Sequence, residues 1–212
     1  MKKIVAMVSG GGTNLQAIFD AIDRGEIDAE VTLVISSARK AYALERARAR
    51  GIPTLALPMK AFATPEECQA ARHRALVEAQ PDLIVLAGYL GILGAETIRA
   101  FPGRILNIHP ALIPSFCGKG MYGHHVHEAA LEYGVKVSGA TVHFVSEDID
   151  AGPIVFQGSV PVEEGDTPDT LAARILPVEH TLLPEAVRLF CQDRIVIDGR
   201  RVKILPPEEA KA

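Results

Sequence analysis

Two segments of this chain carry side chains suited to acyl chemistry. Asn107-Ile108-His109-Pro110 closes an apolar run. In an extended segment, residues two apart point to the same side, so Asn107 and His109 would project together. An amide donor beside an imidazole can bind the oxyanion of a tetrahedral intermediate. A polar pair satisfied by backbone groups at a strand end is the plainer reading. The second segment, Asp148-Ile149-Asp150-Ala151-Gly152-Pro153, offers carboxylates, but Asp-x-Gly-Pro is also a good turn by itself. His143 lies on the strand before it.

A third segment suits binding. Ser9-Gly10-Gly11-Gly12-Thr13-Asn14 stands between an apolar run and a helical pattern. Amides freed by glycine, with the positive end of a helix, favour an anion such as phosphate. No Gly-Lys-Ser/Thr follows, so it is not a Walker loop. Nor is it a dinucleotide fingerprint, since Leu15 stands where a third glycine belongs and the next strand ends in Ser36-Ser37. The alternative is a plain capping box, because Thr13 and Gln16 have T-x-x-Q spacing. That reading leaves three consecutive glycines unaccounted for.

These segments need a scaffold. Ile4 to Val8, Val31 to Ile35, Thr54 to Leu57, Leu83 to Ala87 and the run around Ile105, Leu106 and Ile108 read as apolar strands. Between them lie helical patterns: Leu15, Ile18, Phe19 and Ile22 mark one face, a second runs from about Ala41 to Arg50, and a third starts near Pro65. Apolar strands separated by helices predict a mostly parallel sheet covered on both sides. Val137 to Val145 and Ile154 to Val160 are two further strands joined by Ser146 to Pro153. A helical region follows from Thr167 to Gln192, with Pro177 and Pro184 expected to kink or break it. Asp198-Gly199 suggests a small hairpin in the tail.

Composition narrows the class. With 48% hydrophobic residues among 212, one substantial core is affordable. A net charge of -4 provides no footprint for nucleic acid. No apolar run approaches the roughly 20 residues of a membrane span. The apolar stretch after Met1-Lys2-Lys3 is too short for a signal peptide core. Cys68, Cys117 and Cys191 are odd in number and widely spaced, which suits a reducing cytosol. The reading is a cytoplasmic enzyme. His124, His125 and His127 lack the i, i+4 spacing of helical metal pairs, so a solvated polar segment and no metal are expected. Cys117 shows no sign of being a nucleophile.

Taken together, the segments resemble the glycinamide ribonucleotide formyltransferase family of folate-dependent enzymes. The resemblance runs from Lys3 to about Arg188, through S-G-G-G-T-N-L-Q-A-I, A-G-Y-L-G-I-L, L-N-I-H-P-A-L-I-P-S-F, G-A-T-V-H-F-V, D-A-G-P-I and V-E-H. It implies an α/β, doubly wound, mostly parallel sheet of Rossmann-like type, with an antiparallel strand addition and a long helix towards the C-terminus. It also implies a single domain over 1–212: a nucleotide-binding half at about 1–105, a catalytic and folate-binding half at about 106–192, and a tail at 193–212. By resemblance, Asn107, His109 and Asp150 are catalytic, with His143 in support. Asn107 and a protonated His109 would stabilise the oxyanion, and Asp150 would favour the imidazolium. Gly11, Gly12, Thr13 and Asn14 would hold a phosphate, and Glu179 ribose hydroxyls. Tyr89, Leu90, Gly91, Ile92 and Leu93, with Asn107 and the segment Val145, Ser146, Glu147, Asp148, Ile149 and Asp150, would bind folate.

The resemblance implies 10-formyltetrahydrofolate as co-substrate, glycinamide ribonucleotide as acceptor, no membrane or nucleic-acid partner, and a monomer or homodimer. Methionyl-tRNA formyltransferase and formyltetrahydrofolate hydrolase share the chemistry but carry further domains. A non-catalytic nucleotide-binding module would leave the trio unused. Three departures stand out. Gly91 and Pro65 replace basic residues of family members, and Cys117 to His127 is unlike the shorter, proline-containing loop of many relatives. They put contacts to the folate tail in doubt.

Overall fold

A computed structural model describes residues 1–207; the tail read as 193–212 therefore extends beyond the described residues. The chain divides into two compact units, Met1–Leu106 and Asn107–Ala212.

The first unit contains β1 (Lys2–Val8), α1 (Thr13–Asp23), β2 (Ala29–Ser36), α2 (Tyr42–Ala49), β3 (Thr54–Ala56), α3 (Pro65–Ala79), β4 (Leu83–Leu86) and α4 (Ala95–Ala100). Strand β1 pairs in parallel with β2 and β4, and β2 with β3. The chain thus winds outward from β1 to β3, then crosses back to lay β4 on the other side of β1. In such a sheet ligands approach the carboxyl ends of the strands where the winding reverses. The loops that follow β1 and β4 stand there. Ile4 to Val8 and Leu83 to Val85 are fully buried, which explains their unbroken apolar sequences.

Strand β5 (Ile105–His109) straddles the division, and the seven-stranded sheet has the order β3-β2-β1-β4-β5-β6-β7. The second unit adds α5 (His124–Tyr133), β6 (Val137–Phe144), β7 (Ile154–Pro161), α6 (Pro168–Cys191) and a separate hairpin of β8 (Ile195–Asp198) and β9 (Arg201–Ile204). Strands β6 and β7 pair antiparallel, as do β8 and β9.

Three sequence expectations need correction. Helix α6 is not broken at its prolines: it is continuous from Pro168 to Cys191, with Pro177 and Pro184 inside it. Tertiary packing outweighs the missing hydrogen bonds: a Cβ on Gly158 of β7 would come within 2.4 Å of Val178 Cγ1, so helix and strand are in tight contact. Second, His124 to His127 begins helix α5: His124 and His125 are exposed, as a solvated segment requires, but His127 is buried with Val126 and Ala130. Helix α4 was not anticipated, having only 6 residues and a single buried one, Thr97. Third, the capping box does not form. Gly12, in the left-handed region at φ 73°, is the N-cap and supplies no side chain, so Thr13 is already helical. Gln16 instead donates to Asp20 Oδ1 at 2.7 Å.

Candidate active site

The glycine loop spends its acceptors internally. Gly10 O accepts from Ala43 N at 3.1 Å, and Gly12 O from Gln16 N at 2.9 Å. Gly11 O accepts from Arg46 Nε at 2.8 Å. Among the described residues, the amides of Gly10, Gly11, Gly12 and Thr13 donate no hydrogen bond. Successive unpaired N–H groups form an anion-binding concavity. A Cβ on Gly10 or Gly11 would meet open space, whereas one on Gly12 would lie 2.5 Å from Ala43 Cβ. Bulk at Gly12 therefore strikes α2, in addition to forbidding the positive φ. Thr13 is exposed and Asn14 is buried.

Ser9 ties this loop to the one after β4. Its hydroxyl lies 2.6 Å from Ser37 Oγ and accepts from Leu90 N at 2.8 Å. In the β4 loop, Leu90 and Ile92 are 53% and 60% exposed, while Tyr89 and Leu93 are buried. Of the apolar residues assigned to folate there, two are thus available to a ligand and two are core. Gln69 of α3 fixes this ledge, donating to Ile92 O at 2.6 Å and accepting from Gly94 N at 3.0 Å.

Gly91 has a structural reason. A Cβ there would come within 2.6 Å of the Tyr89 hydroxyl, and burial pushes that phenol's pKa up to about 12. The volume a side chain at 91 would need already holds the Tyr89 ring. We expect Gly91→Ala to lower stability by about 1–3 kcal/mol through overpacking, read as a lower Tm, with Tyr89→Leu relieving the loss. An unchanged Tm in Gly91→Ala would mean that the ring moves aside freely.

In the second unit, Asn107, His109, His143 and Asp150 come together. Buried His143 points Nδ1 at its neighbour's carbonyl, Phe144 O, at 2.9 Å, and Nε2 lies 3.1 Å from Asn107 Nδ2. A carbonyl only accepts, so Nδ1 carries the proton and Nε2 accepts from the Asn107 amide in the neutral ring. Asn107 keeps its second N–H.

His109 is 4% exposed and donates from Nε2 to Phe116 O at 2.8 Å. Its Nδ1 stands 3.8 Å from Asp150 Oδ2. Burial lowers the His109 pKa and outweighs the attraction of Asp150 and of the Phe116 carbonyl. That shift favours the neutral imidazole in the resting site.

Asp150 Oδ2 accepts from Gly118 N at 2.9 Å, and Oδ1 lies 3.6 Å from His143 Nε2. Burial, the largest influence, raises the Asp150 pKa. Its contacts with His143, the Gly118 amide and His109 overcome it, holding the carboxyl below its ordinary range.

The backbone around this cluster is strained. Phe116 and Asp150 adopt φ 49° and 53°; such residues cost about 1–3 kcal/mol each and gather at functional sites. One strained residue turns its carbonyl to His109 and the other presents its carboxylate. A Cβ on Gly152 would sit 1.8 Å from Phe144 O, so this glycine serves close packing against that carbonyl, beyond any turn. Thr141 Oγ1 donates to Ala111 O at 2.6 Å and accepts from Ile113 N at 3.1 Å, pinning the segment after β5. In the remaining folate segment, Val145 and Ser146 are half-buried, and Glu147, Asp148 and Ile149 are exposed. Glu179 is half-buried on α6.

Cys117 donates to Pro114 O at 3.3 Å, and burial, with Asp150 nearby, raises its pKa, which keeps the thiol protonated. Burial, then the neighbouring His124 and His109, push the His127 pKa down to about 4.

Several participants escaped the sequence reading: Ser9, Arg46, Gln69, Phe116, Gly118 and Thr141. All six act through hydrogen bonds in which a backbone group takes part, which leaves no periodic signal. Ser9 was the most accessible, because it stands inside the glycine motif.

The formyl transferase family profile matches residues 2–187. The chain belongs to the formyl transferase family. This formyl transferase is 38% identical over 212 residues to the phosphoribosylglycinamide formyltransferase of Escherichia coli (strain K12), covering 97% of this chain and 96% of that one. It is 47% identical to the glycinamide ribonucleotide transformylase 1 of Symbiobacterium toebii, with TM-score 0.91 over 97% of this chain and 95% of that structure. A formyltetrahydrofolate deformylase from Pseudomonas syringae is 28% identical with TM-score 0.88, and this chain covers 66% of it. The chain spans 19% of the length of the trifunctional purine biosynthetic proteins it also matches. No described helix of this formyl transferase is long and apolar enough to cross a membrane.

Proposed function

We propose that this formyl transferase moves the formyl group of 10-formyltetrahydrofolate to the amine of glycinamide ribonucleotide. The products are formylglycinamide ribonucleotide and tetrahydrofolate, in purine biosynthesis in the cytoplasm. The observation that carries this reading is the buried cluster in which His109 and His143 both face one carboxylate, Asp150, and Asn107 is hydrogen-bonded to His143. In this reading residues 1–105 are the nucleotide-holding half. Residues 106–192 are the catalytic and folate-binding half.

The chemistry follows from the proton inventory. Attack of the amine nitrogen on the formyl carbon sends the carbonyl electrons to oxygen. The second N–H of Asn107 donates to that oxygen. His109 holds its one proton on Nε2, so the proton shed by the amine, accepted at Nδ1, makes an imidazolium beside Asp150 that the carboxylate stabilises until the proton passes on to N10. Collapse re-forms the C=O bond and breaks the bond to N10, which leaves with the proton shed by the amine. Asp150 orients that transfer as an ionised acceptor. No side chain is acylated, in keeping with the protonated thiol of Cys117.

For the substrates, the unpaired amides of Gly11, Gly12 and Thr13, with Asn14, hold the acceptor phosphate, and Glu179 its ribose. Leu90, Ile92 and Ile149, all exposed, offer apolar surface to the folate rings. Hydrogen bonds to a charged group are worth roughly 1.5–3 kcal/mol each. An acceptor lacking the phosphate therefore loses at least about a hundredfold in kcat/KM when two are removed. The comparison is made at fixed 10-formyltetrahydrofolate. A difference below about tenfold would leave the loop as a helix start only.

A hydrolase reading, favoured only by the likeness to the deformylase, puts water in place of the amine. It predicts folate release without acceptor.

A further inference from the structure

We propose that Arg46 is a positioning residue for the anion loop, aiming the Gly12 amide at its ligand and charging it through the peptide. This rests on the reading of that loop as the phosphate site. Arg46 donates from Nε to Gly11 O at 2.8 Å and from Nη1 to Gln16 Oε1 at 3.0 Å. The Gly11–Gly12 peptide is trans, so the Gly11 carbonyl and the Gly12 N–H point in opposite directions across one rigid plane. A guanidinium fixed to the carbonyl end turns the N–H end away from itself. It also polarises the peptide, strengthening that N–H as a donor.

The charge of Arg46 is free to act in this way. On the same stretch of chain, Arg48 pairs with Glu45 at 2.5 Å, and Arg50 holds Asp23 with Nη1 to Oδ1 at 2.9 Å. Arg46 has a carbonyl, an amide oxygen and the Tyr42 ring, 5.0 Å from its guanidinium carbon, and no carboxylate among the described residues. Gln16 is itself anchored to Asp20, so the guanidinium is gripped at two points. The Gly12 contact with Ala43 then sets how closely α2, which carries Arg46, approaches the loop.

The test compares wild type, Arg46→Lys and Arg46→Gln on glycinamide ribonucleotide and on its phosphate-free counterpart, at several salt concentrations. Arg46→Gln should raise KM for the phosphorylated acceptor about tenfold or more. Its kcat should stay within about twofold, and KM for the phosphate-free acceptor should not change. It should also flatten the salt dependence, because a cation has been removed. Arg46→Lys should restore the salt dependence and part of the affinity, since it keeps the charge without the fork. If wild type discriminates by phosphate and Arg46→Gln does so equally, the role of Arg46 is overturned while the loop reading stands. If Arg46→Gln loses both acceptors alike, Arg46 merely supports the fold locally. If wild type does not discriminate, the loop reading fails and the proposal with it.

Discussion

Asp150→Asn should fold normally and lose turnover by about 10²–10⁴-fold, the usual contribution of a positioned acid–base group. Folding should survive because asparagine, like aspartate, tolerates the left-handed backbone found at φ 53°. Its side-chain oxygen can also still accept from Gly118 N. What disappears is charge. His109 is buried and its pKa is already low; without the carboxylate 3.8 Å from Nδ1, forming an imidazolium becomes harder still. Turnover and thermal unfolding should be measured on the same preparation. A folded variant with near wild-type turnover would remove Asp150 from the mechanism.

Asn107→Ala should cost about 10²–10³-fold in kcat, the loss typical of one oxyanion donor, with a smaller change in KM for folate. The substitution removes the N–H aimed at the developing charge and also the donor to His143 Nε2. The second loss is separable through His143→Gln, which disturbs the support but keeps the amide of Asn107. The Asn107 defect should be the larger. A rise in KM alone would reassign Asn107 to ground-state binding.

The parts of this molecule that were legible in the sequence are those with a repeating physical cause. Strands β1, β2, β4 and β5 are buried on both faces, so their apolar runs announce them. Helix α1 shows its buried side as Leu15, Ile18 and Phe19. The sequence signals that misled were local ones overruled by geometry or packing. Thr13 and Gln16 have the spacing of a capping box, but the left-handed Gly12 takes the cap position. Pro177 and Pro184 are helix breakers in isolation, yet α6 persists where Val178 and Leu182 lie against Gly158.

At the candidate site, the residue types were legible and their electrostatics were not. The lowered pKa of His109 follows from its burial, and its tautomer from a carbonyl supplied seven residues later by Phe116, whose positive φ no sequence pattern announces. Gly91 reads as a lost basic side chain in sequence. In the structure it is the space the Tyr89 ring occupies. Likewise Gly152 looks like turn chemistry, while the room it leaves is taken by the Phe144 carbonyl.

The central claim is acceptor-dependent transfer of an intact formyl group. The direct measurement uses 10-formyltetrahydrofolate labelled in the formyl carbon, with and without glycinamide ribonucleotide, and follows where the label goes. Transfer predicts label in the N-formylated nucleotide in one-to-one proportion with tetrahydrofolate released, and negligible release without acceptor. Label appearing as free formate at the same rate with or without glycinamide ribonucleotide would contradict it.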